Sequence, residues 1–187
     1  MINVVWFKRD LRVHNNEALV RATKTGRVLP LYIYEPSLWR QEEMSIRQHA
    51  FLKVSLEELN SALLELGCRL IIKNGNAIDI LRDLHLRYGI SQVYSHQETW
   101  NGWTYKRDVK VARWLRSEGI NWIEVNQNGV IRGLKDRNGW AKKWQAQMAA
   151  PLFLAPKKIE AFGVPSEKID AHPNSAGENN EKEILLK

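Results

Sequence analysis

A short polar segment directly after the first apolar run carries the residues best suited to chemistry. Lys8, Arg9, Asp10 and Arg12 follow the run Ile2–Phe7 with almost no break. Guanidinium groups bind phosphates through paired hydrogen bonds and stack on planar rings. The segment therefore predicts an anion site or a planar-ligand site. The alternative is an ordinary polar loop in which Asp10 pairs with an arginine.

Motifs of several other chemistries are absent from the sequence. It has no Gly-x-Gly-x-x-Gly, no Walker A loop and no Gly-x-Ser-x-Gly elbow. The histidines and the single cysteine lack the spacing of a zinc site, so no metal site is predicted. These residues are His14, His49, His85, His96, His172 and Cys68.

Composition favours one domain, because the 187 residues are 44% hydrophobic. The absence of a signal peptide, of a long apolar run and of a second cysteine predicts a cytoplasmic chain without membrane contact. The net charge of +7 favours nucleic acid or other anions as partners, the alternative being a solvated basic surface. The densest basic stretch is the candidate for phosphate contacts, unless it is a solvated connection or is covered by another domain: Arg132, Lys135, Arg137, Lys142 and Lys143.

Apolar runs alternate with helical periodicities along the first two thirds of the chain. The runs predict five strands, at Ile2–Phe7, Val28–Tyr34, Leu70–Lys73, Ile90–Ser95 and Ile120–Val125. Helices are predicted from Asn15 or Asn16 to about Thr23, from Ser45 to Leu66, from Asn76 to Gly89 and from Trp103 to Ser117. The second of these helices is the clearest, because Ser45 and Gln48 match a capping box.

This alternation predicts an α/β fold, a Rossmann-like, doubly wound five-stranded parallel sheet with strand order 3-2-1-4-5 and helices on both faces. In that order the chain reverses direction between strands one and four. Ligands of open α/β sheets bind at this switch point, beyond the carboxyl ends of the strands. Lys8–Arg12 and Ser95–Glu98 are therefore expected to border a site.

The segment Trp6-Phe7-Lys8-Arg9-Asp10-Leu11-Arg12-Val13-His14-Asn15-Asn16-Glu17-Ala18-Leu19 resembles the opening signature of the DNA photolyase and cryptochrome family. Val28–Ile33, Met44-Ser45-x-Arg47 and Arg107-Asp108 agree with the same family, so the resemblance runs from residue 2 to about 150. It implies that residues 1–150 are the N-terminal α/β domain of the family. Residues 151–187 are then expected to be a linker or a disordered tail toward an FAD domain absent from this chain.

The resemblance implies a chain that contributes to function without being catalytic alone. It looks like the antenna-type domain of a deoxyribodipyrimidine photolyase or cryptochrome, in which a C-terminal helical domain binds FAD and repairs damaged DNA by light-driven electron transfer. No catalytic residue is assigned to this chain. The alternatives are a cryptochrome-type blue-light signalling module and a stand-alone nucleotide-binding protein of the same fold.

The resemblance also implies an antenna chromophore over the strand ends, with flavin or deazaflavin favoured over folate, because Glu42 stands where folate-binding relatives have histidine. Trp103 is expected to fill part of that pocket. A docking face for the FAD domain, open to self-association, is expected at Trp140, Trp144, Leu152 and Phe153. The expected antenna residues are Lys8, Arg9, Asp10, Leu11, Arg12, Ile33, Tyr34, Glu35, Arg47 and Glu98.

Overall fold

A computed structural model describes residues 1–134 and 136–173, and its centre is one parallel sheet. The strands are β1 (Ile2–Phe7), β2 (Arg27–Tyr34), β3 (Ile71–Asn74), β4 (Ile90–His96) and β5 (Asn121–Val125). Their spatial order is β3-β2-β1-β4-β5, with every pair parallel. The predicted order is confirmed, and each predicted strand end lies within one residue of the observed end.

Within the described residues, six helices connect or follow the strands. They are α1 (Glu17–Thr23), α2 (Pro36–Trp39), α3 (Ile46–Glu65), α4 (Ala77–Tyr88), α5 (Gly102–Ser117) and α6 (Trp140–Met148). The short helix α2 was not predicted; Pro36 occupies its first position, where the fixed φ of proline suits a helix. Among the described residues, no helix is long and apolar enough to cross a membrane.

Side-chain caps define where the longer helices begin. Ser45 Oγ accepts from Gln48 N and Gln48 Oε1 accepts from Ser45 N, which confirms the capping box of α3. The cap of α1 is Asn16, whose side chain accepts from Leu19 N at 2.9 Å. Both caps satisfy free backbone N–H groups in the first turn of their helix.

The sheet separates two apolar cores, one on each face. Val5 and Phe7 of β1 point to the core formed with α1 and α3, whereas Val4 and Trp6 point to the core formed with α4 and α5. Cys68 belongs to the first core, and burial raises the pKa of its thiol to about 11. It is a packing residue.

Residues 151–173 are extended chain that lies against the domain. Val28 N donates to the carbonyl of Glu160 at 2.8 Å, and Phe162 N donates to the carbonyl of Val28 at 2.8 Å. Farther along, Glu167 N donates to the carbonyl of Ile72, and the Glu167 carboxylate binds Lys73 Nζ at 2.8 Å. The described part of the expected linker therefore runs along the outer edge of β2 and β3. The remainder of that segment, 174–187, lies outside the described residues.

Candidate functional site

A cleft of about 280 Å³ opens at the carboxyl ends of β1, β2 and β4, at the predicted switch point. Small-molecule pockets begin at about 300 Å³, so the cleft matches a small ring system. The loop after β1, helices α2 and α3 and the first turns of α5 form its walls. The lining residues are Trp6, Phe7, Lys8, Arg9, Leu11, Tyr32, Ile33, Glu35, Leu38, Trp39, Met44, Gln48, Phe51, Leu52, Ser55, Glu98, Trp100, Thr104 and Arg107.

One wall of the cleft is apolar. Phe51 and Leu52 come from α3, Met44 precedes that helix, and Trp39 ends α2. Trp39 is held in place by stacking on the buried ring of Tyr34, with centroids 5.6 Å apart. Phe51 is 65% exposed despite its size, which places an apolar ring at the edge of the cleft. This wall suits the face of a flat aromatic ligand.

The opposite edge carries a stacked cation and ring. The Arg9 guanidinium carbon lies 4.6 Å from the centroid of Trp100. Its Nη1 is 4.0 Å from Glu98 Oε1, and the Arg9 side chain is 57% exposed. A guanidinium over an indole presents a flat, positively charged surface.

The floor of the cleft holds a nearly buried network of charges. Arg107 Nη1 binds Glu35 Oε2 at 2.7 Å, and Arg107 Nη2 lies 2.8 Å from Asp108 Oδ1. Asp108 Oδ2 in turn accepts from Lys8 Nζ at 3.0 Å. Such charges are tolerated away from water only because each faces an opposite charge. The network therefore holds β1, β2 and α5 in one arrangement.

Burial shifts the ionisation of two members of this network. Burial lowers the pKa of Lys8, although the charge of Asp108 acts in the opposite direction. Burial likewise raises the pKa of Glu35, and the Arg107 guanidinium offsets part of this rise. Asp108 therefore stabilises the charged form of Lys8, and Arg107 stabilises the charged form of Glu35.

Asp10 is buried beneath the loop after β1, where its carboxylate has a structural role. His96 Nδ1 of β4 donates to Asp10 Oδ2, and the backbone N–H of Lys8 donates to Asp10 Oδ1 at 3.2 Å. Burial alone would favour the neutral acid, but the hydrogen bond from His96 and the charge of His96 lower the pKa of Asp10 overall. Asp10 therefore joins the β1 loop to the end of β4.

The structure brings together six of the ten residues expected to contact an antenna: Lys8, Arg9, Leu11, Ile33, Glu35 and Glu98. The other four lie elsewhere. Asp10 is beneath the loop, Tyr34 is fully buried behind Trp39, and Arg12 donates to the carbonyl of Asn15. Arg47 is exposed in the first turn of α3, where its neighbour Gln48 lines the cleft instead.

The expectation for Trp103 also needs correction. Trp100, not Trp103, lines the cleft, whereas Trp103 faces a neighbouring cavity. Arg107 was noted only as part of the family resemblance, yet it is central to the floor. A usable signal was present on α5, because Thr104 and Asp108 interrupt the buried stripe that continues with Val111 and Leu115.

The basic stretch after β5 does not act as one unit. Arg132 Nη1 binds the Glu124 carboxylate at 3.0 Å and its Nε donates to the carbonyl of Glu98 at 2.9 Å, so this side chain is held against the domain, and its phosphate contact stays a prediction. Arg137, Lys142 and Lys143 are exposed, and phosphate contact stays a prediction for them. Lys135 lies outside the described residues.

Apolar side chains are exposed on and after α6, as the sequence predicts. Trp140 and Trp144 stack with centroids 6.3 Å apart, and none of the residues of α6 is buried. Leu152 and Phe153 extend the same exposed set. A Cβ on Gly129 would lie 2.2 Å from the Trp144 ring, so this approach requires glycine.

Fold and site together define a doubly wound α/β domain with a cleft at its switch point. The family model for DNA photolyase matches residues 3–136. The chain is 35% identical over 174 residues to the deoxyribodipyrimidine photo-lyase of Salmonella typhimurium, covering 83% of this chain and 36% of that protein. The chain belongs to the DNA photolyase family, as the resemblance indicated.

Solved structures agree with this assignment. A class III photolyase from Agrobacterium tumefaciens superposes with a TM-score of 0.70 at 28% identity, over 89% of this chain and 36% of that one. A Synechocystis cryptochrome shares the fold, with a TM-score of 0.74 at 20% identity, over 92% of this chain and 40% of that one. The chain spans little more than a third of these relatives and corresponds to their N-terminal α/β domain.

Proposed function

We propose that the cleft binds the planar ring of an antenna chromophore, of flavin or deazaflavin type rather than folate. In this proposal the domain collects light for an FAD-binding helical domain of a deoxyribodipyrimidine photolyase, which repairs damaged DNA. The observation that carries the proposal is the construction of the cleft. An apolar wall, a flat Arg9–Trp100 edge and a polar floor meet in a space that suits one ring system.

Each wall has a role in holding such a ring. Phe51, Leu52 and Met44 would cover one face of the ring and remove apolar area from water. Glu35 and Arg107 would meet its edge, where a flavin alternates hydrogen-bond donors and acceptors. Arg107 Nη2 is ion-paired with Asp108 but makes no hydrogen bond of good geometry within the described residues.

The exposed apolar face around α6 supports the second half of the proposal. Trp140, Trp144, Met148, Leu152 and Phe153 are all at least 37% exposed. Surfaces of this kind mark interfaces. The Salmonella photolyase extends far beyond the 36% that this chain covers, so the occupant we propose is the FAD-binding domain. This chain alone would then bind an antenna without repairing DNA.

Ligand uptake by the purified protein tests the antenna proposal. Riboflavin, FMN, a deazaflavin and a reduced folate are each titrated while absorbance and fluorescence quenching are recorded. We expect one flavin or deazaflavin per chain and weaker folate binding. A protein that takes up neither flavin nor deazaflavin would contradict the proposal.

A matched pair of variants locates the binding. Ser55 lines the cleft and Ser61 does not, yet both hydroxyls donate to the carbonyl four residues earlier in α3, at 2.9 Å. Ser55→Trp is expected to fill the cleft and abolish flavin binding, whereas Ser61→Trp should bind as the wild type does. Equal flavin affinities of the two variants would show that the flavin binds outside the cleft.

Sedimentation velocity tests the apolar face. Without its partner domain, the chain is expected to self-associate as concentration rises, and Trp144→Asp should restore the monomer. A wild-type monomer at every concentration would argue against this face as an interface.

A further inference from the structure

The outward face of α5 is strongly basic. Lys106, Lys110 and Arg113 are exposed, and their spacing of four and three residues places them on one side of the helix. The one acid of this helix, Asp108, is buried. Among the described residues, Arg107 is the only cation of α5 in an ion pair. The exposed cations of α5 therefore present unbalanced positive charge to solvent.

The neighbouring helix α4 has the opposite arrangement, although it also carries exposed cations. Arg82 Nη1 lies 3.0 Å from Asp79 Oδ1, and Arg87 Nε lies 2.6 Å from Asp83 Oδ1. Each acid is one turn from its cation on the same helix. The cations of α4 are thus balanced within their own helix, whereas those of α5 favour an external anion.

A cavity of about 270 Å³ lies beside the basic face, between α2, α5 and the start of α4. Lys106 and Lys110 line it together with the half-buried Trp103, one turn earlier on α5. No carboxylate lines the cavity, and it is not one of the sites expected from the sequence. Cations and an aromatic ring therefore border the same space. Its other lining residues are Ser37, Asn76, Ile78 and Arg107.

We propose that the outward face of α5 binds single-stranded nucleic acid. The backbone phosphates pair with Lys106, Lys110 and Arg113, and one unstacked base lies in the cavity against Trp103. Proteins that bind single strands combine these two features, a row of cations for the phosphates and an aromatic ring on which a base stacks. The Asn76 amide and the Ser37 hydroxyl supply hydrogen-bonding groups for the edge of the base.

The cavity and its aromatic ring favour a single strand over other polyanions. A duplex keeps its bases stacked and presents mainly phosphates to a helix surface, and an acidic peptide offers carboxylates without a base to stack. The inference is independent of the antenna proposal, because Trp103, Lys106 and Lys110 do not line the cleft.

Fluorescence anisotropy with labelled oligothymidylate of about ten nucleotides tests this inference on the full chain. The single strand is expected to bind at least about fivefold more tightly than a duplex of the same length, because one base stacks. Three phosphate contacts predict a slope of about −2 for the logarithm of affinity against the logarithm of salt concentration.

Two variants separate the contribution of charge from that of stacking. Lys106→Gln/Lys110→Gln should lower single-strand affinity at least about tenfold and make the salt slope shallower by about 1.4. Trp103→Leu should lower the affinity about fivefold or more and leave the salt slope unchanged. Far-UV circular dichroism shows whether each variant is folded.

The paired cations of α4 provide the matched control. Arg82→Gln/Arg87→Gln changes the net charge by the same amount and should keep the wild-type affinity. Equal losses in the two double variants would overturn the inference, because net charge alone would then explain binding. Equal affinities for single strand and duplex, or equal displacement by polyglutamate of matched charge, would also overturn it, as would a wild type that binds no oligothymidylate.

Discussion

Two regions of this domain combine tryptophan with basic side chains, and they differ in burial. Around the cleft, Trp6 is 1% exposed and Lys8 and Arg107 are nearly buried. Around α6, Trp140 and Trp144 are 37% and 42% exposed, and neighbouring cations face solvent. The same residue types therefore build an internal site in one region and an external surface in the other.

Acidic partners explain the difference. Every buried cation of the cleft faces a carboxylate from another element, as Lys8 faces Asp108 and Arg107 faces Glu35. In the stretch after β5, Arg132 has such partners, whereas Arg137 and Lys142 have no carboxylate partner among the described residues. The first arrangement pairs its charges within the domain, whereas the second leaves its cations facing solvent.

The largest contrast is expected between two tryptophan truncations. Trp6→Ala removes a fully buried ring and should lower the free energy of unfolding by about 3–5 kcal/mol. Trp144→Ala removes a half-exposed ring and should cost less than about 1.5 kcal/mol. Urea unfolding followed by far-UV circular dichroism measures both. Similar losses would show that the two regions contribute equally to the core.

Removing an acid from each region gives the next contrast. Asp108→Ala leaves the Lys8 ammonium buried without its closest partner, and a loss of about 3 kcal/mol or more is expected. Asp136→Ala removes an exposed acid that accepts a hydrogen bond from Asn138 N in a local turn, so a loss of less than about 1 kcal/mol is expected. Urea unfolding measures both losses of stability. A larger loss for Asp136→Ala than for Asp108→Ala would contradict the comparison.

The pH dependence of stability isolates Asp10. Its pKa is lowered in the folded protein, so its contribution to stability is present above the ordinary pKa of about 3.9 and disappears as pH falls through the folded value. Wild-type stability should therefore decline below about pH 4. Asp10→Asn should lack that part of the decline, whereas the exposed Asp136→Asn should keep it. Parallel curves for wild type and Asp10→Asn would contradict the buried pairing with His96.

The smallest expected effect on stability belongs to the exposed cations. Replacing Arg137, Lys142 and Lys143 by glutamine should change the free energy of unfolding by less than about 0.5 kcal/mol. If these cations bind phosphates, non-specific DNA affinity should fall and its logarithmic salt slope should shrink by up to about 3. Fluorescence anisotropy with labelled duplex DNA measures both. Unchanged DNA binding would leave this stretch a solvated surface.

The fold was predictable because its signals are local. Apolar runs, helical periodicities and the Ser45–Gln48 capping box determine the elements, and the preference for right-handed crossovers orders the strands. The short α2 was missed because one turn has no periodicity. The site was predicted only along the strand ends, where the position of a residue follows from the topology.

The rest of the site depends on side-chain direction and on long-range pairing. Tyr34 and Asp10 follow or end strands as predicted, yet both point into the domain. Arg107 reaches the cleft from α5 and meets Glu35, which is 72 residues away in the chain. Neither alternation nor spacing specifies such a pair. The apolar face at α6 was predictable, because Trp140 and Trp144 have helical spacing in a segment that follows the last strand of the sheet.

The indole N–H signals of the eight tryptophans offer the most direct test of the cleft as the functional site. Two-dimensional ¹H–¹⁵N spectra are recorded as riboflavin is added, with each indole signal assigned by single Trp→Phe substitution. The cleft account predicts saturable shifts for Trp100 and Trp39, which line the cleft, and unchanged signals for Trp140 and Trp144. Shifts at Trp140 and Trp144 with unchanged signals at Trp39 and Trp100 would contradict it.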